Sequence, residues 1–193
     1  MTSERAYHHG DLRRTLLTAA LDAIAENGPD ALSLRDLARR AGVSHAAPAH
    51  HFKDRTGLLT AVAAEGYTLF ADALAGAPDL RERGVAYVRF AAEHPAHFQV
   101  MFCPELHRAD DPALLAAKAC ATEELRAGVG DLPDAARGED ARLAGIAAWS
   151  LAHGFATLLL SGSLSDALEG RTPESAFRTL AGLIFAHRDG DDG

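Results

Sequence analysis

Strand signals are scarce in this sequence. Phe, Tyr and Trp make up 6% of its 193 residues, and no segment alternates apolar and polar side chains as a strand would. Cysteine is nearly absent too. Cys103 and Cys120 have no metal-type spacing around them, which argues against a disulfide scaffold and fits a reducing cytoplasm. The opening segment MTSERAYHHGDLRR has no apolar core, so no secretory signal is read there. Lysine occurs only at Lys53 and Lys118. Excess positive charge is missing: 19 basic against 27 acidic residues leave −8, which argues against a uniformly basic DNA-coating protein.

What the chain has is alanine and apolar residues at helical spacing. Hydrophobic residues reach 48%, enough for a sizeable core. Charge is unevenly spread. Residues 1–66 hold eight basic and eight acidic side chains, whereas the remainder carries the whole deficit of −8. The N-terminal third also holds His8, His9, His45, His50 and His51, and is the part able to approach phosphate.

Periodicity predicts helices throughout. The first runs from about His9 to Asn27 and ends at Gly28-Pro29. Ser33 is expected to cap a second helix reaching Ala41, with Asp36 completing a loose capping box. Gly42 turns the chain, Ser44 is expected to cap a short third helix ending near His51, and Asp54 caps a long fourth one over 55–76. Ala77-Pro78-Asp79 reads as a boundary. Further helices are expected over 80–94, 110–128 and 139–160. Between the first two, Pro95 starts a short turn, AHFQVMF. Residues 130–138 read as a loop and 187–193 as a disordered tail. Thr172-Pro173-Glu174 opens the last helix with cap, proline and acid in the favoured order. The apolar run Leu143–Leu160 is long enough for a membrane span. It contains His153 and is rich in alanine, and is read instead as a helix buried on most sides.

The stretch LSLRDLARRAGVSHAAPAHHFKDRTGLL, residues 32–59, carries the most information. Its pattern is helix, tight glycine turn, then a short helix with small residues at its start. A helix that enters the major groove needs such a slim leading face. Ser44, His45, Ala46 and Ala47 supply it, with His50 and His51 on the flank. Ser33, Arg35, Lys53 and Arg55 stand at or near helix starts, where free N–H groups assist phosphate binding.

These residues resemble the DNA-binding domain of the TetR family of bacterial repressors. That family shows apolar-Thr/Ser-apolar, Ala-Gly-Val-Ser, Tyr-x-His-Phe and then lysine. The counterparts here are Leu32-Ser33-Leu34, Ala41-Gly42-Val43-Ser44, Ala49-His50-His51-Phe52 and Arg55. Two positions depart from the pattern. Ala49 replaces the tyrosine that supports the recognition helix and contacts phosphate, and Pro48 falls inside the expected recognition helix, predicting an irregularity there. Trp149, His153 and Gly154, with FAAEHPAHFQVMF at 90–102, resemble the subgroup with a Trp-His-Gly signature.

The resemblance implies an all-α chain. A three-helix helix-turn-helix DNA-binding domain would occupy 8–54 and a linking helix 55–76. A helical effector-binding and dimerisation domain would occupy 77–188. It implies a cytoplasmic homodimer whose partners are a double-stranded DNA operator and a largely apolar small-molecule effector. Tyr87, Phe90, Phe98, Phe102, Trp149 and His153 are the candidate lining of an effector pocket. No catalytic residues, metal or cofactor are expected. His94, His97, Cys103, His107 and His153 could be drawn together as metal ligands, but read better as packing around a proline break. Ser150 with His153 lacks an oriented acid and a nucleophile elbow. Two other functions fit the same residues: a helical ligand-binding module whose DNA reading has weakened, and a constitutive architectural DNA-binding protein.

Overall fold

Capping residues and two glycines set the limits of most helices. The computed structural model describes residues 3–128 and 139–185, so the expected loop over 130–138 and tail over 187–193 lie outside the described residues. Helix α1 (Ser3–Asn27) ends where Gly28, at φ 75°, donates its N–H to the Ile24 carbonyl at 2.8 Å. A 3-10 turn, Pro29–Ala31, leads to α2 (Leu34–Arg40). Gly42 then takes φ 65° to reverse the chain into α3 (Ala47–Phe52). The next helices are α4 (Arg55–Ala75), α5 (Leu80–Glu93), α6 (Pro95–Met101) and α7 (Pro112–Ala127). A 3-10 turn, Pro104–Leu106, lies between α6 and α7. Then come α8 (Glu139–Leu160) and α9 (Pro173–Phe185). The described residues are helical with no strand.

Several expected caps are present as hydrogen bonds. The Asp54 Oδ1 accepts from Gly57 N–H at 2.8 Å, and Thr172 Oγ1 from Ser175 N–H at 3.2 Å. Others differ. Ser33 has the extended backbone of a cap (φ −125°, ψ 132°) but its side chain makes no capping bond. The Asp36 carboxylate does not reach back to it, because Arg39 and Arg40 hold it at 2.6 and 2.7 Å. The third helix begins at Ala47 and not at Ser44, whose carbonyl instead accepts from Ala47 N–H in the preceding turn. Pro48 therefore sits in the first helical turn, where its missing N–H removes no helical bond. The expected irregularity does not arise. The segment after Pro95 is a helix rather than a turn, with Ala96, His97, Phe98, Val100 and Met101 buried. Proline at its start opens the helix.

The chain divides into two compact units. One comprises residues 1–68 with 94–119, the other 69–93 with 120–193. In the first unit, Leu16, Ala20 and Ile24 of α1 are fully buried together with Leu37 of α2 and Leu58, Leu59 and Val62 of α4. Phe52 and Val100 join that core. In the second, α5 packs on α8 and α9. There Phe70 meets Tyr87 edge-on at 4.9 Å and Phe90 at 5.0 Å. Residues Arg142–Leu160 of α8 depart from expectation. Although long and apolar enough to cross a membrane by composition, only 11% of this stretch is buried within the chain. Leu143 (60% exposed), Ile146 and Leu158 of α8, and Leu183 (78%) and Ile184 of α9, are large apolar side chains left exposed.

Candidate nucleic-acid interface and effector cavity

The turn before α3 and the outer face of α3 present small and polar side chains to solvent. Ser44, His45, Ala46, Ala49 and His50 are exposed, Ala47 and His51 half-buried, and Pro48 and Phe52 buried. The last two anchor α3, and Val43 N–H bonds the Ala38 carbonyl at 3.0 Å to fix the turn. Arg13 lies 5.4 Å over the Phe52 ring and ties α1 to the end of α3. No bulky residue stands on the exposed edge, so a groove wall could approach it closely.

The candidate phosphate contacts fall into two groups. Ser33 and Arg35 are exposed at the start of α2, and Lys53 is exposed at the end of α3. Arg39 and Arg40, on the same helix as Arg35, are held by Asp36, and Arg40 also pairs with Glu26 at 2.8 Å. These arginines hold the Asp36 and Glu26 carboxyls below their usual range. Arg55 is more committed than its sequence position suggested. Its Nη2 donates to the Pro29 carbonyl at 2.7 Å and lies 3.5 Å from Asp30, so it braces the 3-10 turn against the start of α4.

Two residues of this region carry no strong sequence signal. Arg108 reaches back 54 positions to bond Asp54, and nothing in the local pattern announces it. Gly57, in the first turn of α4, is the readable hint, since a glycine inside a helix usually marks a close approach. A Cβ there would overlap the Phe52 carbonyl oxygen and lie 2.7 Å from Arg108 Nη1.

The second candidate site is a cleft of about 460 Å³ in the other unit. Tyr87 of α5, Trp149 and Ala152 of α8, and Phe177 and Ala181 of α9 line it. Small residues make the room: Gly84, Gly145 and Ala148 stand where larger side chains would fill it. Gly84 also seats Phe177, whose Cε1 would be 2.5 Å from an added Cβ. The Tyr87 hydroxyl and His153 Nδ1 share a 2.8 Å hydrogen bond, and the Trp149 and His153 rings are 6.0 Å apart. Burial pushes His153 below the usual histidine range, favouring its neutral form. Of the six candidate pocket residues, Tyr87 and Trp149 line the cleft and His153 is bonded to its wall. Phe90 packs on Phe70. Phe98 and Phe102 belong to the first unit, where they pair at 4.9 Å and Phe102 meets Tyr67. Among the described residues no group of three or more His, Cys, Asp or Glu side chains is placed to hold a metal. His97 instead bonds Glu65 at 3.3 Å.

Comparison with known proteins adds independent findings. A family model described as "Bacterial regulatory proteins, tetR family" matches residues 16–62, and one described as "Tetracyclin repressor-like, C-terminal domain" matches residues 80–183. The HTH-type transcriptional regulator BetI of Escherichia coli is 36% identical over 80 residues, 42% of this chain and 41% of that protein. The chain therefore matches about two-fifths of the length of that curated relative. Among solved structures, a Rhodococcus sp. RHA1 protein of unknown function is 34% identical, with TM-score 0.72 over 93% of this chain and 95% of its own. The TetR family transcriptional regulator PfmR of Thermus thermophilus is 25% identical, with TM-score 0.61 over 88% and 96%.

Proposed function

This chain belongs to the tetR family of bacterial regulatory proteins, and from that premise we propose that it is a homodimeric, cytoplasmic transcriptional regulator, a repressor that leaves a palindromic operator when a largely apolar small molecule binds. The observation that carries this reading is the exposed, slim face of Ser44, His45, Ala46, Ala49 and His50, anchored from behind by Pro48 and Phe52. Base edges are read by side chains of such a face, and Ser33, Arg35 and Lys53 beside it suit phosphate oxygens. The net charge of −8 is carried by the part of the chain beyond residue 66, which keeps DNA at the reading end.

A second copy is the natural cover for the apolar surface of α8 and α9. Leu143, Ile146, Leu183 and Ile184 are exposed there, and helix-turn-helix readers commonly address paired half-sites. Trp149, His153 and Gly154 support placement in the Trp-His-Gly subgroup. The cleft bounded by Tyr87 and Trp149 has the volume and mainly apolar wall of a small-molecule site.

A weakened reader is the second reading, and Ala49 favours it: the family's phosphate-contacting tyrosine is missing and Arg55 is engaged by Pro29. Selection of bound sequences from a random DNA pool, with light scattering for the oligomer, separates the two. Enrichment of a palindrome by a dimer supports the regulator, whereas no enrichment above non-specific binding leaves the ligand-binding module.

A further inference from the structure

The joint between α3 and α4 is strained, and a distant part of the chain holds it. Lys53 has φ 70° and ψ −58°, and Asp54 N–H bonds the Phe52 carbonyl at 2.9 Å. This is a three-residue turn of the kind that side chains other than glycine rarely adopt. Immediately beyond it, Gly57 rides on the Phe52 carbonyl so closely that no side chain fits. The first turn of α4 is thus pressed onto the last turn of α3.

Arg108 closes this joint from outside. It lies between the Pro104–Leu106 turn and α7, in the segment 94–119 that packs with the N-terminal unit. Its backbone N–H donates to Thr60 Oγ1 at 2.9 Å, and its Nη2 donates to Asp54 Oδ2 at 2.7 Å. Thr60 is itself buried and donates to the Thr56 carbonyl at 2.7 Å. Asp54 Oδ1 is occupied by the Gly57 N–H. Arg108 is therefore fixed at two points near the start of α4 and grips the residue that ends the strained turn. An exposed ion pair alone contributes little to stability. A pair whose arginine is also tethered through its backbone instead sets geometry.

We propose that Arg108 is a positioning residue for DNA reading: it holds the Phe52–Lys53–Asp54 turn closed and so fixes the angle at which α3 presents its exposed face. This rests on the DNA-binding reading above. It places a determinant of operator affinity within residues 80–183, outside the segment that carries the reader.

The test uses the full-length protein and a site it has itself selected from random DNA. Affinity for that site and for unrelated DNA, the salt slope and the melting temperature are measured for wild type, Arg108→Lys and Arg108→Gln. Arg108→Gln is expected to lose roughly tenfold or more on the selected site, the size of one or two misread base pairs. Affinity for unrelated DNA, the salt slope and melting should stay at wild-type values, and Arg108→Lys should recover part of the loss. Adding Lys53→Gly, which relieves the positive φ, should restore the ratio of selected-site to unrelated-DNA affinity. A parallel loss on both DNAs with a salt slope flattened by about one unit would make Arg108 a phosphate contact and overturn the proposal. A lowered melting temperature with unchanged affinity would make it merely structural. Wild-type affinity in Arg108→Gln refutes the positioning role alone, while failure of the wild type to enrich any DNA removes the DNA-binding reading and this inference with it.

Discussion

Tyr87→Phe isolates one bond at the wall of the cleft. Tyr87 is 1% exposed and its hydroxyl is 2.8 Å from His153 Nδ1. The substitution keeps the ring that packs edge-on against Phe70 and removes only the oxygen. The bond itself is lost, and His153 Nδ1 no longer faces the hydroxyl that met it. A bond between neutral groups is worth about 0.5–1.5 kcal/mol net, and a buried partner left behind costs about 1–3 kcal/mol. His153 is only partly buried, which points to the lower half of that range, about 1–2 kcal/mol. For a chain of this size each kcal/mol moves the melting temperature by about 2–4 °C, so the expected drop is about 2–8 °C at fixed protein concentration. Scanning calorimetry gives this value, and the cycle with His153→Phe isolates the coupling between the pair. If Tyr87→Phe melts within about 1 °C of wild type, or if its effect simply adds to that of His153→Phe, the hydrogen bond is not a feature of the folded protein and the polar corner of the cleft is lost.

Three further outcomes are expected. Ile146→Glu and Leu183→Glu place charges on the uncovered α8–α9 surface and should each convert a dimer into a monomer at micromolar concentration, read by light scattering; an unchanged dimer would put the interface elsewhere. Ala49→Tyr, on an exposed position of α3, should strengthen DNA binding roughly two- to tenfold without altering the selected sequence, measured by fluorescence anisotropy; a changed sequence preference would mean that this position reads bases. Burial, reinforced by Lys118, lowers the pKa of His107 in the folded chain, so below about pH 6.5 the unfolded chain binds the proton more readily and stability falls as pH falls toward the lowered folded value. His107→Gln should therefore show a shallower loss of melting temperature between about pH 7.5 and 5.5, and parallel curves would refute the assignment.

Local signals in the sequence are reliable where one residue controls one backbone feature. Gly28 and Gly42 need positive φ, and Asp54 and Thr172 need only a nearby N–H, so each can be read from its neighbours. The capping box at Ser33 does not form because Asp36 has better partners in Arg39 and Arg40, one helical turn away. Proline breaks a helix from inside, which is why the stretch after Pro95 reads as a turn. At the first position it starts a helix, and burial of Phe98, Val100 and Met101 favours that outcome. For Leu143–Leu160, composition alone does not distinguish a helix buried within one chain from a helix face awaiting a second copy. The exposure of Leu143 and Ile146 marks the difference.

Site residues are legible in proportion to how local their geometry is. The exposed face from Ser44 to His50 is contiguous in sequence, and one helix and one turn suffice to present it. The cleft is different. Aromatic residues are a fair guide to a wall but not to which wall, and Phe98 and Phe102 share the composition of Tyr87 and Trp149 while packing in the other unit. The small residues Gly84, Gly145 and Ala148, which leave the space, carry no individual signature. Arg55 shows the same limit from the other side. Its place in the motif suggests phosphate, yet a carbonyl 26 residues earlier, at Pro29, takes its guanidinium at 2.7 Å. Only one of its five N–H donors is used there, so others can meet phosphate while that bond is kept. Removal of Arg55 should therefore loosen the turn before α2 as well as any DNA contact, and the two effects separate experimentally because the first is read in the melting temperature without DNA and the second in the salt slope of DNA binding.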